Sequence, residues 1–156
     1  MKRKVYAYIT HDEHLLVFSH PDSPEAGIQV PGGTVEDGEA PEEAVMREAT
    51  EETGLTGLQM ETLLGQVDRW IAELQQWHRR WFYHLTAVGP LPERWYHAER
   101  TPSDGMPSDG TPSDGSQGPI RFEFFWAPLP GGIPALSGEL GQMLPQLLSA
   151  LHFTEA

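Results

Sequence analysis

The segment 41–54 constrains the fold of this chain more than any other, because it carries a helix-start signal at one end and a helix-stop signal at the other. Pro41 suits the first turn of a helix, where its missing N–H costs nothing, and Gly54 suits the C-terminal stop. A helix from about Pro41 to Thr53 is therefore predicted. The run Gln29-Val30-Pro31-Gly32-Gly33 leads towards this helix and contains the glycine pair expected of a tight turn.

Three glutamates share one face of the predicted helix. Glu48, Glu51 and Glu52 lie at i, i+3 and i+4, beside Val45 and Ala49, whose side chains should pack against a sheet. Two unit charges ~4 Å apart repel by about 4 kcal/mol at an effective dielectric near 20. The carboxylates therefore either splay into water, as on most Glu-rich helices, or surround a cation. Mg²⁺ and Mn²⁺ prefer oxygen ligands of this kind.

The spacing of residues over the longer segment 33–55 favours the second alternative, a cation among the carboxylates. Gly33 is followed after five residues by Glu39, and after seven more by Arg47-Glu48-Ala49-Thr50-Glu51-Glu52-Thr53-Gly54-Leu55. This pattern resembles the Nudix box throughout, although Ala49 is smaller than the aliphatic residue that is usual there. Seven fixed residues at a background of roughly 6% each give a chance match on the order of one in a million. The chain is identified as a member of the Nudix family.

The resemblance implies a fold and a reaction. The fold is α/β, a Nudix-type α/β/α sandwich with a mixed central sheet, in a single domain over residues 1–156. The reaction is hydrolysis of a phosphoanhydride bond in a nucleoside-diphosphate-linked small molecule, with Mg²⁺ or Mn²⁺ as cofactor. Water attacks a phosphorus of X–P–O–P–X′, and two phosphorylated products leave. The substrate stays open among nucleotides, nucleotide sugars, dinucleoside polyphosphates and coenzymes.

The resemblance also implies roles for single residues of the box. The metal ligands implied are Glu48, Glu51, Glu52 and the backbone carbonyl of Gly32. The residues implied to support the loop and helix, and to orient the carboxylates, are Gly33, Glu39, Arg47 and Gly54. The catalytic set is thus expected to contain the three glutamates and Arg47.

A general base outside the box is expected from a further glutamate. Glu123 is the candidate, because many relatives carry a glutamate shortly before a tryptophan, and here Trp126 follows. Glu99 is the rival. On an alternating strand, Glu123 also has the plain interpretation of a solvent-facing residue.

Substrate contacts are predicted around residues 77–83. Arg79 and Arg80, with His78, supply cations for phosphate groups. Aromatic side chains at strand spacing are more often core residues than base-stacking platforms, so the stacking residue stays open. The candidates are Phe18, Trp70, Trp77, Trp81, Phe82, Tyr83 and Trp95.

The rest of the chain is predicted from periodicity and turn signals. Strands are expected at 3–10 and 14–20, which form a hairpin, and at 58–68, 77–88 and 120–127. A leucine-rich stripe from Leu140 to Leu151 predicts a helix that kinks or begins near Pro145. Residues 89–119 are interpreted as a flexible tract, with Pro-Ser-Asp-Gly repeats at 101–118 as a surface insertion or part of a lid.

The charge and the cysteine content limit the partners. A formal net charge of −13 disfavours long nucleic acids and anionic membrane surfaces, whereas a small phosphorylated substrate can bind through a cation. There are no cysteines and no long apolar N-terminal run, so a cytoplasmic protein is expected. Assembly as a homodimer stays open.

Two further functions compete with the hydrolase. A catalytically weak Nudix-fold module that only binds or senses nucleotides is the main alternative. A Nudix-type isoprenoid diphosphate isomerase is a poor fit, since such enzymes use a catalytic cysteine and this chain has none. RNA decapping is disfavoured by the negative charge.

Overall fold

The computed structural model describes residues 1–99 and 120–153. In chain order, its elements are β1 (Lys2–His11), β2 (His14–Ser19), β3 (Gly32–Thr34), α1 (Pro41–Thr53), β4 (Gln59–Ile71), β5 (Gln76–Thr86), β6 (Arg94–Glu99), β7 (Ile120–Pro128) and α2 (Leu144–Ala150). Single turns of 3₁₀ helix lie at Pro24–Ala26 and Ala72–Leu74.

The strands of the described residues form one mixed sheet, as predicted. The strand order is β4-β5-β1-β2-β7-β6, and β3 pairs with the first half of β1. The central pair, β1 and β5, is parallel, while the other pairs are antiparallel. Because β1 is ten residues long, its first half pairs with the glycines of β3 and its second half forms the hairpin with β2.

A hydrophobic layer covers each face of the sheet. Val5 and Ile9 of β1 pack in the layer that contains Val45 of α1, whereas Tyr8 packs in the layer that contains Leu147 of α2. This alternation follows from the period of two along a strand. Burying one such aliphatic side chain contributes about 1.5–3 kcal/mol. The result is the predicted α/β/α sandwich.

Most predicted elements are confirmed, with shifted ends. The hairpin and α1 lie where they are predicted, and β4 extends three residues further, to Ile71. The C-terminal helix is shorter than the leucine stripe from Leu140 to Leu151. It begins at Leu144 with Pro145 in its first turn, in agreement with the predicted start near Pro145. No helix in the described parts of the chain is long and apolar enough to cross a membrane.

The interpretation of residues 89–119 as one flexible tract is wrong for residues 94–99. They form β6, which pairs antiparallel with β7. Its aromatic side chains explain the strand, since Trp95 stacks on Phe124 with ring centroids 5.3 Å apart. The repeat insertion at 101–118 lies outside the described residues, so its interpretation stays a prediction.

Candidate active site

Helix α1 is stabilised at both ends by its own sequence. The N–H of Ala40 donates to Oε1 of Glu43 at 2.9 Å, and acidic residues in the first turn suit the positive end of the helix dipole. At the other end, Gly54 adopts φ 78°, a left-handed conformation that glycine tolerates, and its N–H donates to the carbonyl of Thr50 at 2.9 Å.

Strand β6 binds the C-terminal carbonyls of α1. Nε1 of Trp95 donates to the carbonyl of Thr53 at 2.9 Å, and Nε2 of His97 donates to the carbonyl of Glu51 at 2.9 Å. The ring of His97 lies so close to Gly54 that an added Cβ would stand 2.9 Å from it. The sequence analysis named Trp95 only as a candidate stacking residue and did not name His97, so both positioning roles were missed. The aromatic character of both residues was visible, but their partners lie more than forty residues away.

The three glutamates of α1 have different surroundings. Glu48 and Glu52 are buried, with 1% and 6% of their surfaces exposed, whereas the Glu51 side chain is 54% exposed. The border between core and solvent therefore runs between Glu51 and the other two.

Gly32 and Gly33, expected in a tight turn, lie instead in the short strand β3, where they receive both buried carboxylates. The N–H of Gly32 donates to Oε1 of Glu52 at 3.3 Å. At Gly33 an added Cβ would lie 1.7 Å from Oε2 of Glu48, and at Gly32 it would lie 2.5 Å from the ring of Tyr6. Only glycine allows this approach at Gly33, since no side chain fits between the strand and Glu48.

Arg47 connects the loop to the carboxylates. Its guanidinium binds Glu39 in a bidentate manner, at 2.8 and 2.9 Å, and Nη1 donates to Oε1 of Glu48 at 2.6 Å. Nη2 also donates to the carbonyl of Thr34 at 3.1 Å, and Glu51 lies 3.5 Å from Nη1. This hydrogen-bonded pairing lowers the pKa of Glu39 to about 2 and raises the pKa of Arg47.

The donors around Gly32 and Gly33 suit a divalent cation of the hard type. The carboxylates of Glu48 and Glu52 and the carbonyl of Gly32 are all oxygen donors, which Mg²⁺ and Mn²⁺ prefer. Among the described residues, no three acidic or imidazole side chains stand close enough to hold a metal in their present arrangement. The three-glutamate ligand set therefore stays a prediction, and it requires Glu51 to turn inward.

Glu123 lies on β7, where its carboxylate pairs with the guanidinium of Arg94 on β6. Phe122 and Phe124, its neighbours along the strand, belong to the layer that contains α1, so Glu123 projects from the opposite face of the sheet. Its role as general base stays a prediction. Glu99 is the last residue of β6, and its side chain lies outside the described part of the structure.

The structure separates the two arginines predicted to bind substrate. Arg79 forms a bidentate bond with Asp68, at 2.8 and 2.9 Å, on the face of β5 opposite to Arg80. Arg80 is buried, with its guanidinium 5.7 Å from the ring centroid of Tyr6. Tyr6 in turn stacks on Phe82 at 5.1 Å and is a site residue that the sequence analysis missed.

The candidate stacking residues divide into core and surface. Phe18, Phe82 and Tyr83 are buried, and Trp81 and Trp95 pack against the core. Trp70 and Trp77 are exposed as a cross-strand pair, with ring centroids 5.6 Å apart. They line a cavity of about 350 Å³ at the β4–β5 turn, together with Met1, Leu74, Gln75 and Gln76.

The Gly33→Ala substitution tests the close approach of β3 to Glu48. The added methyl group would displace the Glu48 carboxylate, so we expect a loss of activity of at least ~10²-fold, comparable to loss of a metal-site residue. Gly131→Ala is the matched control, because nothing lies within 4 Å of its added Cβ and it should keep full activity. Equal activity of the two variants in a steady-state assay would contradict the arrangement.

The Glu39→Gln substitution tests the ion pair with Arg47. The folded-state pKa of about 2 lies below the ordinary value of 4.5, so this carboxylate stabilises the fold above pH 4.5 and loses its effect as the pH falls through 2. The wild type should exceed the variant in free energy of unfolding at pH 7, and the difference should shrink between about pH 4.5 and 2. Urea unfolding over a pH series measures this. A difference independent of pH would contradict it, and Glu25→Gln, at an exposed site, is the control.

Comparisons with known proteins identify the family and the fold of this chain. A family model described as NUDIX domain matches residues 1–108. The crystal structure of a MutT NUDIX hydrolase from Burkholderia pseudomallei is 26% identical, with 94% of this chain and 97% of that chain covered and a TM-score of 0.61. A comparison with curated proteins gives no match.

Two more distant structures share the fold. The MutT protein from Methanosarcina mazei Go1 is 19% identical over 97% of this chain and 96% of that chain, with a TM-score of 0.61. A bifunctional NMN adenylyltransferase/ADP ribose pyrophosphatase from Francisella tularensis, complexed with AMP and a manganese ion, is 17% identical over 96% of this chain and 41% of that chain, with a TM-score of 0.61. With the family model matching more than half of its length, this chain belongs to the NUDIX family of pyrophosphohydrolases, which act on nucleoside-diphosphate-linked compounds.

Proposed function

We propose that the chain is a Mg²⁺- or Mn²⁺-dependent hydrolase that cleaves a phosphoanhydride bond in a nucleoside-diphosphate-linked small molecule. The observation that carries this proposal is the convergence of Glu48 and Glu52 on Gly32 and Gly33 of β3. Two buried carboxylates beside a backbone with no side chains form an oxygen-rich site that an anionic substrate can approach only with a cation present.

The metal would be held by Glu48, Glu52 and the carbonyl of Gly32, with Glu51 joining when its exposed side chain turns inward. A bound divalent ion supplies positive charge for the phosphoryl oxygens and acidifies water at the site. The manganese ion in the Francisella complex supports the choice of metal for that protein, and we extend it to this chain.

The other residues of the site position the carboxylates and neutralise the negative charge of the substrate phosphates. Arg47, held by Glu39, fixes one oxygen of Glu48 and leaves the second beside Gly33. Arg80 is suited to contact substrate phosphates, because it lies beside Tyr6 and its buried Nε has no hydrogen-bond partner among the described atoms. Arg79 is paired with Asp68 instead, so we assign the substrate contact to Arg80 alone.

Glu123 is our candidate for the general base. To accept a proton from water, its carboxylate must first leave Arg94, whose side chain is 58% exposed and can swing into solvent. Glu99 stays the alternative.

A nucleotide-binding module without turnover is the second candidate. The exposure of Glu51 favours it, because a site with only two buried carboxylates binds a divalent ion less tightly. In either case the partner is a small phosphorylated compound rather than a long nucleic acid or a membrane. A cytoplasmic location and assembly as a homodimer stay predictions.

A substrate panel tests the proposed function. Nucleoside triphosphates, nucleotide sugars, dinucleoside polyphosphates and coenzymes would be assayed for phosphate-containing products with Mg²⁺ and with Mn²⁺. We expect turnover of at least one class of compound. The activity of Glu52→Gln should fall by ~10²-fold or more, since removing a metal ligand costs at least as much activity as removing a residue that supports one. The exposed Glu25→Gln is the control and should match the wild type. Nucleotide binding without turnover by the folded, metal-loaded protein would instead favour the second candidate.

The assignment of Glu123 is tested by a pair of variants. Glu123→Gln should lower kcat by ~10²-fold or more, as expected for loss of a general base. Arg94→Gln breaks the same ion pair but keeps the carboxylate, so its kcat should stay near the wild-type value. If both variants lose the same amount of activity, the ion pair is structural and Glu123 is not the base.

A further inference from the structure

Five basic side chains lie on one face of the three strands β4, β5 and β1. We call Lys2, Lys4, Arg69, His78 and Arg80 the basic cluster. In the parallel register of β1 and β5, Lys2 is opposite His78 and Lys4 is opposite Arg80, and on the other side of β5 Arg69 is opposite His78. Residues that are paired across strands project to the same face, so all five share it.

The cluster contrasts with the charge of the whole chain. The formal net charge is −13, and four of the ten lysines and arginines lie in this one cluster. Like charges placed side by side on adjacent strands repel one another. Such an arrangement is stable only with anionic partners or with water around it.

Within the described residues, Arg80, His78 and Arg69 have few anionic partners. Arg80 and His78 are 9% and 7% exposed, yet Nε of Arg80 and Nδ1 of His78 have no hydrogen-bond partner within the described ranges. The carboxylate nearest to Arg69 is Glu139, at the long distance of 3.8 Å. A buried guanidinium without an anion is costly, so an anionic ligand would be stabilised here.

The electrostatic effect on His78 agrees with this geometry. Burial lowers the pKa of His78, and the positive charges of Lys4, Arg80, Lys2 and Arg69 lower it further, in that order. The side chains of the cluster are thus close enough to act on one another.

Tyr6 joins the cluster to the buried glutamates. It follows Lys4 on the same face of β1, and Arg80 lies over its ring. Its ring also contacts the backbone at Gly32, whose N–H donates to Glu52. An extended anion can therefore run from the glutamates, past Tyr6, onto the cluster.

We propose that the basic cluster binds phosphate groups beyond the phosphoanhydride that is cleaved, so that the preferred substrates carry three or more phosphates in a row. This inference rests on the proposed function. A nucleotide sugar has only two phosphates, and both belong to the bond that is cleaved at the glutamates. The half of such a substrate that reached the cluster would be neutral and would supply no anion to the buried guanidinium of Arg80.

Binding of inorganic tripolyphosphate tests the cluster without turnover. Isothermal titration calorimetry of the metal-free protein in EDTA should show binding that weakens about tenfold or more in the double variant Lys2→Gln/Arg69→Gln, since two charged hydrogen-bond donors to the phosphates are removed. Both side chains are part-exposed, so the variant should fold, which circular dichroism would verify. Bound tripolyphosphate should also raise the pKa of His78 in an NMR titration.

Arg79→Gln is the matched control for this experiment. It removes one positive charge next to Arg80 in sequence but on the opposite face, where it is paired with Asp68. Its affinity for tripolyphosphate should equal that of the wild type. Equal losses in Arg79→Gln and in the double variant would show non-specific attraction and overturn the proposal, as would the absence of binding to the wild type.

Turnover separates this inference from the proposed function. We expect kcat/KM for a dinucleoside tetraphosphate to exceed that for ADP-ribose by about tenfold or more, and the double variant to lose this preference. Equal efficiency on both compounds would overturn the inference and leave the hydrolase intact. Tripolyphosphate binding through the cluster, without hydrolysis of any compound, would support the cluster and contradict the hydrolase.

Discussion

The close contact between the Glu48 carboxylate and the backbone at Gly33 is the constraint on which the rest of the site depends. Burying a carboxylate is unfavourable unless hydrogen bonds and opposite charge surround it. Here Arg47 donates to one oxygen at 2.6 Å, while the missing side chain at Gly33 leaves room for the other. The strand pairing of β1 with β3 and the bonds from β6 to the end of α1 hold these two segments in contact.

Two regions of opposite charge meet at Tyr6. The buried glutamates lie on one side of it, and the basic cluster of β1, β4 and β5 lies on the other. In a chain of net charge −13, this proximity allows a phosphorylated molecule to bind at one place while most of the surface repels it. We infer that a divalent ion and the cluster act on different phosphates of one substrate.

Local patterns predicted much of the fold and part of the site. Helix α1 and the hairpin depend on signals within about a dozen residues, such as Pro41, Gly54 and the alternation of β1, and both are confirmed. Strand β6 was missed because it has no apolar alternation of its own. It forms where Trp95 can stack on Phe124, a contact between residues far apart in the chain.

The sequence by itself determined the family, the helix and the residues of the box, because these depend on spacing along a few turns of one helix and one loop. Only the tertiary structure decided that Glu51 is exposed while Glu52 is buried, since that depends on which side of α1 meets the sheet. The parallel register of β1 and β5 was likewise not predictable from the sequence. The period of two fixes which residues of a strand share a face, but it does not say which strand lies beside it. The pairing of β1 with β5 places Lys4 opposite Arg80, and Arg79 projects from the other face of the sheet.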